Sequence, residues 1–352
     1  MNANLTAAKA AKNDEFYTQY ADIEKEVSAY LEYDSGVFRG KTVLLPCDDP
    51  EWSNFTKYFL DRFDDYGIGK LVSTCIAPQA RLKLPLFDGI GHGRYLARTR
   101  GKGTSTGILD GDGDFRSKEL CQLRDEADMI ITNPPFSLFR EFIEWIRRGK
   151  DEDKKFLVIG NMNAITYKKI FPLIKENKMW LGNGFQASSA YFRTPKENMR
   201  EYAEGVLDVN TRIVKFRNCC WFTNLEHGRR HEPLQLMTMA ENKKYSRHKE
   251  VRGNDYRHYD NYDAIEVPFT DAIPADYDGV MGVPISFLDK YCPEQFEIVG
   301  ATESEGKGFS NGLWKPESKV AQPMSNGKRI YKRIFIRHKH PTKIAPTHEY
   351  RS

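Results

Sequence analysis

Between residues 41 and 160 the chain alternates two patterns. Short, almost wholly apolar runs occur at 41–45 (Lys-Thr-Val-Leu-Leu), 71–77, 127–132 and 155–160. They are too short for helices and lack a polar face, which predicts buried strands. Between them the apolar positions recur at helical spacing. Ile23, Val27, Tyr30 and Leu31 share one face, as do Phe55, Tyr58, Phe59 and Phe63, and then Phe139, Phe142, Ile143 and Ile146. Helices are also expected near 117–124 and over 164–177, and strands at 179–181, 190–193 and 213–222. The aromatic stripe Phe55 to Phe63 reads as core rather than as a stacking platform.

Strands alternating with helices over roughly 200 residues predict an α/β domain, its sheet mostly parallel and covered by helices on both faces. Ligands of such sheets sit beyond the carboxyl ends of the strands. Two unusual segments follow apolar strands there: Cys47-Asp48-Asp49-Pro50 after 41–45, and Asn133-Pro134-Pro135-Phe136 after 127–132. A third, Asp112 to Phe115, closes a Gly-, Arg- and Asp-rich stretch at 78–116 that reads as irregular. All three are expected at one sheet edge. Beyond about residue 225 the alternation stops, and basic and aromatic residues mix with Pro/Gly turns. The expected division is a loose arm at 1–12, an α/β domain at 13–225 and a basic, mixed α+β domain at 226–352.

Charge sharpens that division. The net charge is only +4, but residues 307–352 carry 11 Lys and Arg against two acids. Residues 212–259 carry 11 against five, with four of the eight histidines. A basic second half beside an acidic remainder points to a polyanion partner. Mean hydropathy is −0.63, and no apolar run reaches membrane-spanning length. Residues 1–12 lack the apolar core of a signal peptide, so a cytoplasmic protein is expected. The six cysteines form no Cys-x-x-Cys pair, so no disulfide framework is expected. No metal is assigned. Adjacent Cys219 and Cys220, upstream of His227 and His231, suit one tetrahedral ion poorly, and those histidines read as surface residues. Asp112 and Asp114 lack the closing Glu of a calcium loop.

Asn133-Pro134-Pro135-Phe136 suggests chemistry of its own. An amine conjugated to an aromatic ring is a poor nucleophile, because its lone pair is delocalised. Two acceptors for its hydrogens pull the nitrogen toward tetrahedral geometry and free that pair. The Asn133 side-chain oxygen is one acceptor, and the Pro134 carbonyl supplies the second. The two prolines fix φ and restrict the residue before each, so the acceptors are preorganised. Phe136 offers a flat face for a base, which must be flipped out of a duplex to be reached.

This loop, together with 13–19, 46–55, 110–117, 159–167, 279–284 and 297–301, resembles the EcoRI-type adenine-specific DNA methyltransferases. The resemblance implies a Rossmann-like methyltransferase sheet, S-adenosylmethionine as cofactor and double-stranded DNA as partner. It implies a monomer, with a restriction endonuclease acting on the same site without being a stable subunit. The C-terminal domain becomes the target-recognition domain. Asn133, Pro134, Pro135 and Phe136 become the catalytic loop. Asp114 and Phe115 take the acidic–aromatic pair at the cofactor's adenine, and Tyr17 and Thr18 a position near its methionine end. Cys47, Asp48, Asp49 and Pro50 replace the usual Gly-x-Gly cofactor turn, and their acids are expected on its ammonium or ribose hydroxyls. An RNA adenine or a protein glutamine, targets of similar loops, remains the alternative.

Overall fold

The computed structural model describes residues 17–77, 91–149, 151, 154–185, 189–193, 206–208, 210–302 and 308–342. The arm expected at 1–12, the motif residues 13–16 and the end of the basic tail at 343–352 lie outside the described residues. The chain divides into two compact units: Met1–Ala164 with Lys178–Gly228, and Ile165–Asn177 with Arg229–Ser352. No helix among the described residues is long and apolar enough to cross a membrane.

The first unit opens with β1 (Tyr17–Thr18) and α1 (Tyr20–Tyr33), followed by β2 (Thr42–Leu45), α2 (Asn54–Asp61) and β3 (Lys70–Cys75). Next come β4 (Arg94–Thr99), β5 (Gly103–Ile108), α3 (Lys118–Glu126), β6 (Met129–Thr132), α4 (Phe139–Arg147) and β7 (Lys155–Asn161). After α5 (Phe171–Lys175), which belongs to the second unit, follow β8 (Trp180–Leu181), β9 (Ser189–Arg193), β10 (Val206–Asp208), β11 (Ile213–Arg217) and β12 (Cys219–Thr223).

The main sheet has eight strands in the order β5-β4-β3-β2-β6-β7-β12-β8. Its centre, β3-β2-β6-β7, is parallel, whereas the pairings β5–β4, β4–β3, β7–β12 and β12–β8 are antiparallel. The sheet is therefore mixed rather than mostly parallel. The expectation failed at β4 and β5, which lie in the stretch read as irregular. Arg-Tyr-Leu-Ala-Arg-Thr and Gly-Thr-Ser-Thr-Gly-Ile form a hairpin at the sheet edge with only Leu96 buried, so no apolar run announces them. A separate antiparallel sheet runs β1-β9-β11-β10.

The single strand expected over 213–222 is two strands in two sheets. Asn218, at φ +65°, adopts the left-handed conformation that breaks it, one that Asn tolerates better than most residues. The aromatic stripe is core: Phe55, Tyr58, Phe59 and Phe63 are at most 1% exposed. With Val43, Leu45, Ile131, Leu157 and Trp221 they fill one apolar cluster. Each such side chain contributes about 1.5–3 kcal/mol on burial. His227, expected on the surface, is buried, its Nε2 lying 3.0 Å from the Leu181 carbonyl and its ring edge-on to Tyr30.

In the second unit, the helix expected over 164–177 is shorter. A 3-10 turn (Met162–Thr166) precedes α5, whose first turn accommodates Pro172 because that amide would be unpaired in any case. α6 (Met239–Tyr245) starts with a capping box, Thr238 with Glu241. A mixed sheet runs β13 (Ile265–Glu266), β14 (Met281–Pro284), β18 (Arg333–His338) and β15 (Phe296–Ala301), in that order. β18 is paired on both sides, with Ile334, Phe335 and Ile336 buried and Arg333 neutralised by Glu266 at 2.6 Å. A two-stranded hairpin, β16 (Met324–Ser325) and β17 (Lys328–Arg329), stands apart from this sheet.

Candidate active site

β2, β3 and β6 lie side by side and parallel, so their carboxyl ends share one sheet edge. The chain leaves β2 at Pro46, which has no amide to donate to the ladder. The next turn is built by its own carboxylates. Asp49 Oδ1 accepts from the amides of Glu51 at 2.9 Å and Trp52 at 3.3 Å, and its Oδ2 accepts from the Arg94 guanidinium at 2.8 Å. Asp48 is buried and accepts from Ser53 Oγ and Thr132 Oγ1, each at 2.6 Å. Ser53 also caps α2 by accepting from the Phe55 amide at 3.1 Å. The Asp48 amide donates to the Thr74 carbonyl at 2.9 Å, and its carbonyl accepts from Ser73 Oγ at 2.6 Å.

One residue thus ties the exit of β2 to β3, to the start of α2 and to the last residue of β6. Burial pushes the Asp48 carboxyl up to about 7, the Ser53 and Thr132 hydroxyls oppose that rise, and the Asp49 charge adds to it. Both acids of the turn are engaged by the protein itself. The expectation that they bind the cofactor's ammonium or ribose therefore requires them to share or exchange partners.

The loop at 110–115 crosses the end of β3. The Ala77 amide donates to the Asp112 carbonyl at 2.7 Å. Gly113 has φ +82°, and a Cβ there would stand 2.4 Å from the Cys75 carbonyl oxygen, so only glycine lets this loop lie so close. Burial raises the Asp114 carboxyl, but Arg116 outweighs it. Hydrogen bonds from the Arg116 amide (2.8 Å), Nε (2.9 Å) and Nη2 (2.6 Å) hold Asp114 below the usual carboxylate range. The Phe115 ring turns into the protein, edge-on to Phe142 at 5.1 Å and Trp145 at 5.6 Å.

From Thr132 the chain enters Asn133-Pro134-Pro135, then a 3-10 turn (Phe136–Leu138) that leads into α4. The Phe136 ring is braced edge-on by Phe192 of β9 and Phe216 of β11, both at 6.2 Å.

These segments share one cavity of about 770 Å³, counting its open mouth. Of the candidate residues it gathers Tyr17, Thr18, Cys47, Asp48, Asp49, Asp114, Phe115, Asn133 and Pro135. Pro50, Pro134 and Phe136 stand outside the lining. Sequence reasoning missed Ser53, Phe55, Cys75, Ile76, Gly113 and Leu138 in the wall. Ser53 alone carried a local signal, as a serine directly before a helical stripe. Thr18 is only 2% exposed, and its hydroxyl has no hydrogen-bond partner among the described residues. Its carbonyl accepts from Asn54 Nδ2 at 2.7 Å, which fixes β1 against α2.

The family model for the adenine-specific methyltransferase EcoRI matches residues 4–339. The type II methyltransferase M.EcoRI of Escherichia coli is 41% identical over 348 residues, covering 96% of this chain and 97% of that protein. M.MpnI of Mycoplasma pneumoniae is 34% identical over 83% of each chain. M.MgeORF184P of Mycoplasma genitalium is 33% identical over 95% of this chain and 98% of its own. No solved structure matches the chain. The chain is accordingly an adenine-specific DNA methyltransferase. Within that class the chain belongs to the EcoRI methylase family. A protein glutamine as target is thereby set aside.

Proposed function

We propose that the cavity holds S-adenosylmethionine, on a Rossmann-like methyltransferase sheet, and that the Asn133 loop presents a flipped-out adenine of duplex DNA for N6 methylation. The observation that carries this reading is the gathering of four segments, distant in sequence, around one cavity with Asn133 in its wall. Several features suit the cofactor. Phe55, Ile76 and Leu138 give apolar wall, and Asp48, Asp49 and Asp114 bring hydrogen-bonding carboxyl groups to it. The buried Thr18 hydroxyl is ready for a polar group of the ligand. Gly113 keeps the loop backbone close to the end of β3.

When bound, S-adenosylmethionine supplies an electrophilic methyl group. The protein's part is to hold and polarise the acceptor. The Asn133 side-chain oxygen and the Pro134 carbonyl accept the two amine hydrogens, so the lone pair turns toward the incoming carbon. Transfer would form a carbon–nitrogen bond as the methyl group's carbon–sulfur bond breaks, with S-adenosylhomocysteine as the leaving group, and the amine would give up one proton to solvent. Phe136, braced by Phe192 and Phe216, stacks against the base without needing to reorient. Thr132, fixed by Asp48, anchors the loop at its start. The enzyme then acts as the modification partner of a restriction endonuclease, in the cytoplasm and as a monomer.

The direct test incubates the chain with methyl-labelled S-adenosylmethionine and, in parallel, duplex DNA or RNA, and digests each product to nucleosides. Label in N6-methyldeoxyadenosine supports the reading. Label in RNA only, or in no nucleic acid, overturns it.

A further inference from the structure

The second unit holds a cavity of about 970 Å³ between residues 250–257 and the β16–β17 hairpin. The hairpin is held rigid. Asn326 and Gly327 both have positive φ, as a tight two-residue turn requires. The Asp260 carboxylate accepts from the amides of Asn326 at 3.1 Å and Gly327 at 2.8 Å. Asn261 holds the strand before the turn, its Oδ1 accepting from the Met324 amide at 2.9 Å. Lys328 and Arg329 are thus exposed side chains on a fixed frame. Arg257 faces the same cavity from the opposite wall and is also exposed.

The charges do not cancel. Among the described residues, Arg257, Lys328 and Arg329 make no ion pair. The carboxylates nearby are committed elsewhere: Glu266 to Arg333, Asp255 to Lys243, and Asp260 to the turn amides. Glu250 is the remaining acid of the lining. In the same cavity Ser325 is 6% exposed, and its hydroxyl has no hydrogen-bond partner among the described residues. Three cations without an ion pair among the described residues, lining one cavity with a buried hydroxyl, form a site for a tetrahedral oxyanion.

We propose that this cavity seats one backbone phosphate of duplex DNA, contacted by Arg257, Lys328 and Arg329 with the Ser325 hydroxyl donating to it. The proposal rests on the reading of DNA as substrate. A phosphate seat fixes the register of the duplex and carries no sequence information.

The test measures the dissociation constant of a short labelled duplex for the full chain, across a range of salt concentrations, beside calorimetric binding of S-adenosylmethionine. The variants are Arg257→Ala/Lys328→Ala/Arg329→Ala, Lys328→Ala, Ser325→Ala and Lys339→Ala. Lys339 is an exposed lysine outside the cavity. The triple variant should bind DNA at least about tenfold more weakly, with a log–log salt slope shallower by about one, and bind S-adenosylmethionine normally. Ser325→Ala, which removes a hydroxyl with no partner among the described residues, should weaken binding about threefold without changing the slope. Lys328→Ala should exceed Lys339→Ala. Wild-type affinity and slope in the triple variant, or equal effects from Lys328 and Lys339, overturn the phosphate seat alone. A wild-type chain that binds no DNA overturns the substrate reading and this proposal together.

Discussion

Asp48 joins the two loops that matter most, and it does so as a buried acid. Its carboxyl is raised from 3.8 to about 7 mainly by burial. Folding therefore favours its neutral form. The stability it contributes is complete below about pH 4 and is lost as pH rises through about 7. Asp48→Asn has no charge to bury, so its urea midpoint should decline less than that of the wild type across this window. Parallel curves would refute the assignment. Thr18 gives a second prediction. Thr18→Val removes a buried hydroxyl that has no partner among the described residues, so the free protein should be as stable or more stable by about 1 kcal/mol. S-adenosylmethionine should bind about tenfold more weakly, in line with the loss of one buried hydrogen bond. Calorimetry and thermal unfolding check both halves, and unchanged cofactor affinity would place that hydroxyl outside the site. At this scale the candidate positions were legible from residue type, because Asn-Pro-Pro-Phe and Asp-Asp-Pro are unusual after apolar strands. Their partners were not: nothing local tells that Asp48 will meet Thr132 or that Asp49 will meet Arg94, since long-range pairing has no local spacing.

Elements are held in place by polar groups as well as by the apolar cluster. α1 carries Glu26, which is buried and accepts from Tyr30 Oη at 2.6 Å and from the amides of Asn183 and Gly184, each at 2.9 Å. Burial raises this carboxyl, and the three donors oppose the rise. Glu26→Ala would strand those donors, each at a cost of about 1–3 kcal/mol if it stays dry. A loss of about 3 kcal/mol in denaturant unfolding is expected, and a change below about 1 kcal/mol would mean that the loop at 182–184 finds other acceptors. α1, α2, α4 and the four central strands were legible because their apolar patterning is strong. β4 and β5 were not, because an edge hairpin of Thr, Ser, Gly and Arg buries little. The break at Asn218 was hidden for a different reason: two apolar runs flank a single left-handed residue, and periodicity alone joins them.

For the whole molecule, two compact units divide the work, with the cofactor-site candidates in the first and the proposed phosphate seat in the second. The charge asymmetry of the sequence hinted at this division, yet the segment Ile165–Asn177 joins the second unit although it precedes strands of the first. An excursion of that kind leaves no mark in composition. The measurement that tests the account most directly compares wild type with Asn133→Ala in one experiment, reading S-adenosylmethionine affinity by calorimetry and single-turnover methyl transfer to adenine in duplex DNA. The account predicts unchanged cofactor affinity with transfer slowed by about a hundredfold or more, the scale of removing one preorganised polar group from a transition state. Transfer at the wild-type rate would contradict the role given to Asn133 and, with it, the reading of the cavity.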